Sequence, residues 1–98
     1  MSKVAVLKTE PSSVLNDYKK AMELADFRKH VPIDRPVILK DNISWHFMYP
    51  GANTTPWQLE AVIQYLQDHG YKDISAVHNK TVVINPEKGQ RLNQLDKI

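Results

Sequence analysis

Apolar and polar positions along the chain change rhythm several times, and each change marks an element. Val4 to Thr9, "VAVLKT", is a short, nearly continuous apolar run rich in β-branched residues, the pattern of a strand covered on both faces. After it, "PSSVLNDYKKAMELADF" repeats apolar residues at Val14, Tyr18, Ala21, Met22 and Ala25, spacings of three and four that predict a helix with Ser12 or Ser13 as its cap. That helix should stop before Pro32, because the residue ahead of a proline resists the helical region. "RPVILKDN" predicts a second buried strand, Val37 to Lys40, opened by Pro36.

The clearest signals belong to the next helix. Thr55 stands just before Pro56 and three residues before Gln58, the capping-box spacing with proline at the first helical position. Leu59, Val62, Ile63 and Leu66 supply the apolar stripe, and Gly70 is placed to close the helix in the left-handed conformation. A third strand is expected within Lys72 to Asn79, with Thr81 to Asn85 either its continuation or a short fourth strand. Asn85-Pro86 can cap a last helix carrying Leu92, Leu95 and Ile98. Strand, helix, strand, helix, strand in this order predicts an α/β fold: a three-layer arrangement around a mostly parallel sheet joined by right-handed crossovers.

Length and composition narrow the classes. Ninety-eight residues suit one α/β domain rather than two. A charged share of 24 % with a net charge of +2 spread along the chain argues against nucleic acid as a partner, and no apolar run has the ~20 residues that cross a bilayer. "MSKVAVLKTE" lacks the plan of a secretory signal, so a cytoplasmic location is expected. The absence of cysteine rules out disulfides, thiolate zinc sites and cluster ligation by these residues. Glycines stand only at 51, 70 and 89, so neither a dinucleotide fingerprint nor a P-loop can be written.

Candidate chemistry gathers between the second strand and the Thr55 helix. A connection of about twelve residues exceeds the usual two to six, and long connections are disproportionately functional. It begins at the carboxyl end of a strand, where α/β sheets collect ligands, and ends at a helix N-terminus, which attracts anions. Lys40, Asn42, Thr54 and Thr55 are therefore the candidate ligands of an anionic small molecule, a carboxylate or a phosphate. Each also has a plainer role: Thr55 as the cap of its own helix, Lys40 as a lysine reaching to solvent. Trp45, His46 and Trp57, with Phe47 and Tyr49, supply aromatic surface for a pocket or an interface, and His46 is chemically able to act as an acid or base. His30, His46, His69 and His78 show no metal-ligand spacing, so no metal site is expected.

Taken together, "VAVLKT", "VILKDN" and "GANTTPWQLEAVIQYL" resemble the start of the family called domain of unknown function 362. Lys40 and Asn42 match its second strand end, with Asp41 where proline is usual; Thr54 and Pro56 match its helix start, with Thr55 where histidine is common. The resemblance covers nearly the whole chain and implies that it is the N-terminal part of a larger domain, with the second half missing or replaced by self-association. It also implies an association with iron–sulfur clusters, held in a missing region or a partner and not by this chain. Two functions follow as expectations: the N-terminal half of an enzyme domain binding an anionic small molecule, or a non-catalytic module docking an iron–sulfur electron-transfer partner through the aromatic loop.

Overall fold

A computed structural model of the chain describes residues 2–44 and 50–78. Trp45, His46, Phe47 and Tyr49, the expected strand at 81–85 and the expected final helix lie outside the described residues. The elements are α1 (Val14–Leu24), α2 (Phe27–His30), β1 (Val37–Asp41), α3 (Pro56–Asp68) and β2 (Ile74–His78). β1 and β2 pair in parallel, in a register that runs from Val37 opposite Ile74 to Asp41 opposite His78. The molecule is thus α/β with a parallel sheet, its two strands joined through α3.

α3 forms where its local signals demand. The Thr55 hydroxyl accepts a hydrogen bond from the Gln58 N–H at 3.3 Å, and Pro56 occupies the first helical position. At the other end Gly70 takes φ 87°, the Gly70 N–H donates to the Gln67 carbonyl and the Tyr71 N–H donates to the Leu66 carbonyl. Those two bonds are the Schellman closure, and Tyr71 and Leu66 also share a buried cluster, the apolar contact that accompanies it.

The core lies between α3 and one face of the sheet. Leu59 and Ile43 are buried with Leu39 and Ile63 against them. Tyr65, Leu66 and Tyr71 form a second cluster, to which Met22, Phe27, Val31, Val37 and Ile74 contribute. α1 packs on α3, with Met22 in the same core cluster as Val37 and Ile74, and is tied to it by the Tyr65 hydroxyl donating to the Glu23 carboxylate. Burial and that bond push the Tyr65 phenol up to about 12.

Three expectations need correction. Val4 to Thr9 is not a strand: Val4 and Val6 are 86 % exposed, and only Ala5 and Leu7 turn inward, towards α1. β-branched residues favour an extended chain, but a strand exists only with a neighbour to complete its ladder, and β1 and β2 pair with each other. The first helix also does not run on to Phe27. It ends at Leu24, Asp26 adopts φ 59°, and α2 follows, so that Phe27 meets the rings of Tyr65 and Tyr71 edge-on at 5.6 and 6.0 Å. Val31 is extended before Pro32, as the proline requires. Finally, Ser13 holds the N-cap position of α1 without capping it; its hydroxyl instead donates to Asp17 at 2.7 Å, as does that of Thr9. An ionised carboxylate is the stronger acceptor, and the bonds from Thr9 and then Ser13 hold the Asp17 carboxyl below its ordinary range.

Candidate functional site at the carboxyl edge of the sheet

β1 ends in Asp41, and the chain then leaves the sheet to return thirteen residues later as Thr54. Its two ends are stitched together. The Asn42 N–H donates to the Thr54 hydroxyl at 2.8 Å, and the Thr54 N–H donates back to the Asn42 carbonyl at 2.7 Å. The Asn42 side-chain amide donates to the Ser44 hydroxyl at 2.8 Å and to the Ala52 carbonyl at 2.6 Å, while the Ser44 N–H donates to the Asn53 side chain at 2.7 Å. These bonds satisfy the neck of the loop and hold the start of α3 against the end of β1.

That architecture employs most of the candidate ligands. The donors of the Asn42 amide serve the loop, the Thr54 hydroxyl accepts from Asn42, and the buried Thr55 caps α3. Within the first turn Pro56 has no N–H, Gln58 donates to Thr55 and the Leu59 N–H donates to the Thr55 carbonyl, which leaves the Trp57 N–H without an acceptor among the described residues. Trp57 itself is 36 % exposed and, with Pro11, Val14, Leu15 and Glu60, lines an open groove of about 530 Å³ between α1 and α3.

Lys40 does not join this group. Side chains alternate along a strand, and Val37 and Leu39 pack towards α3, so Lys40 belongs with the 69 % exposed Ile38 on the opposite face. A lysine one residue from a strand end reads as adjacent to the loop in sequence, yet the pleat turns it away.

What the edge does bring together is Asp41 and His78. They are register partners at the last position of the parallel pair. Asp41 is 3 % exposed, and burial pushes its carboxyl above the ordinary range, opposed by the charge of His78. His78 carries a fully buried Nδ1 that has no hydrogen-bond partner among the described residues. Both residues are visible in the sequence as strand ends, but their pairing depends on register, which no local pattern encodes.

Among the described residues no group of three or more His, Asp or Glu side chains converges as a metal site, and no helix is long and apolar enough to cross a membrane. No family model matches the chain, and neither a curated protein nor a solved structure matches it.

Proposed function

We propose that this chain contributes the anion-binding edge of a cytoplasmic small-molecule enzyme domain, of the kind implied by its resemblance to domain of unknown function 362. The observation that carries this reading is the pair of hydrogen bonds between Asn42 and Thr54, which hold the positive end of α3 beside the carboxyl ends of β1 and β2. The ligand's carboxylate or phosphate is received by the Trp57 N–H and the dipole of α3, with Asn42, Thr54 and Thr55 shaping the seat and Asp41 and His78 at its side. Lys40, on the other face, acts on the anion only at a distance through solvent. Titrating phosphate or a dicarboxylate while following backbone amides tests the reading. Saturable shifts confined to residues 42 and 54–58, unaffected by Lys40→Ala, are expected; absence of shifts there overturns it.

A second reading, a non-catalytic module docking an iron–sulfur electron-transfer partner or domain, is favoured by the exposure of Ile38 and of Val77, at 69 % and 45 %, on the sheet face away from α3. Under that reading Ile38→Lys abolishes docking of a cluster-bearing partner and leaves the amide titration unchanged.

A further inference from the structure

We infer that the groove between α1 and α3 binds an aliphatic ammonium ion, a small amine whose hydrocarbon chain lies along the apolar wall and whose charged head meets Glu10 and Glu60. The inference stands apart from the anion-binding reading, because it uses side chains of the groove and not the backbone at the start of α3. The wall follows from the local sequence. Pro11 lies in the turn that leads into α1, the helix supplies Val14 and Leu15, and Trp57, the second residue of α3, completes the lining. The groove between them holds about 530 Å³, within the range of small-molecule sites.

The arm that borders the groove is held in place by bonds of its own. The Thr9 hydroxyl donates to the Asp17 carboxylate at 2.7 Å and the Ser13 N–H donates to the Glu10 carbonyl at 3.0 Å, which pin Thr9 and Glu10 to the start of α1. The Thr9 bond also sets polarity. With its one proton given to Asp17, that hydroxyl, which also lines the groove, has only lone pairs left to offer. Glu60, on α3, accepts from the Gln64 amide at 3.2 Å through one oxygen. Its other oxygen, and both carboxylate oxygens of Glu10, meet no donor among the described residues.

Charge decides what such a groove accepts. Among the described residues no lysine, arginine or histidine lines it, and neither Glu10 nor Glu60 stands in an ion pair; Lys19, one turn beyond Leu15 on α1, reaches Asp68 at 3.9 Å instead. An anion is repelled by the two carboxylates. A neutral apolar guest would strip water from them and leave them unpaired, which costs free energy. A bare divalent cation asks for about six oxygen ligands and gains nothing from the apolar wall. An alkylammonium meets every condition. Its N–H groups donate to the carboxylates and to Thr9, its carbon chain covers Pro11, Val14 and Leu15, and Trp57, 36 % exposed, is the side chain whose ring attracts cations best.

Nuclear magnetic resonance titration of the whole chain tests this with hexylammonium, hexanol and hexanoate, probes of one length that differ in charge, at neutral pH, where the amine is protonated as a lysine is. Hexylammonium should give saturable shifts at the Trp57 indole N–H and at the amides of residues 10, 14, 15 and 60. Hexanol and hexanoate should bind the groove more weakly by about fivefold or more, the upper range for one exposed ion pair. Glu60→Gln should weaken hexylammonium by about two- to fivefold on the same ground. Trp57→Leu, which keeps apolar bulk and removes the ring, should do so by about two- to fivefold as well. Added salt should weaken the amine and leave the alcohol unchanged, since ions screen exposed charges. Hexanol binding as tightly as hexylammonium makes the groove merely apolar and overturns the inference. So does a preference for hexanoate in the groove, or the absence of shifts at these residues with the amine. Because location and preference are both read in the unaltered chain, a variant that fails to fold does not remove the test.

Discussion

Thr55 and Asp41 are both buried polar residues beside one loop, and they affect stability in opposite ways. Thr55 supplies an acceptor to an N–H that would otherwise be orphaned, so Thr55→Ala should lower stability by about 1 kcal/mol in denaturant unfolding. Asp41 is the reverse case. Its folded carboxyl is raised above the unfolded value of 3.8, so the native state binds more protons than the unfolded state across that window. Stability is therefore lost as pH rises through the folded value. Asp41→Asn, which keeps the shape and removes the charge, should raise the Tm at neutral pH, and the gain should vanish as the pH falls to the ordinary carboxylate range. Thr55 was legible in the sequence because a cap acts on the next three residues of its own chain. The partner of Asp41 was not, since it lies on another strand, 37 positions along a chain whose register is set by packing.

At the scale of elements, α3 is the organising piece. Its apolar stripe was expected at Leu59, Val62, Ile63 and Leu66, whereas its buried residues are Leu59, Ala61, Tyr65 and Leu66. The stripe widened because the helix has two neighbours, the sheet and α1, and Tyr65 serves both by packing its ring in the core and donating its hydroxyl to Glu23. Tyr65→Phe keeps the ring and loses a bond to a carboxylate that is itself 47 % exposed, so thermal unfolding should show a loss of about 1 kcal/mol. Gly70→Ala should cost about 1–2 kcal/mol, because the left-handed conformation is strained for any residue with a Cβ. The added methyl would also sit 3.2 Å from Ile33 Cδ1, a contact that adds to the loss unless Ile33 gives way.

The whole molecule has a finished side and an unfinished one. α3 covers the Val37–Leu39 face of the sheet, while Ile38 and Val77 remain exposed on the other among the described residues. Parallel sheets are ordinarily covered on both faces, and apolar surface of this kind promotes association. Sedimentation velocity of the isolated chain should show concentration-dependent self-association, reduced by Ile38→Lys; a monomer at all concentrations would remove the sheet face as its cause. Acid should act through the outer carboxylates in the opposite sense to Asp41. Asp17, Glu23 and Asp26 are all held below their ordinary range by hydrogen bonds, from Thr9, Arg28 and Lys3 respectively in the first place. Their contributions are present above the unfolded values and fade as pH falls through the folded ones.

What the amino-acid sequence determined by itself was whatever depends on near neighbours in the chain: the cap and closing glycine of α3, the break before Pro32, the extended segments that become β1 and β2, and the α/β class that follows from their order. Only the tertiary structure decided which extended segments become strands, which face each residue meets and which strand ends become partners. Val4 to Thr9 has the composition of a strand and lacks a neighbour; Lys40 has the address of a ligand and the wrong side of the pleat; Asp41 and His78 meet because two strands chose one register. The physical reason is the same in all three. Capping and chain stiffness are local free energies, while a strand ladder, a buried face and a cross-strand pair exist only once distant segments share the exclusion of water.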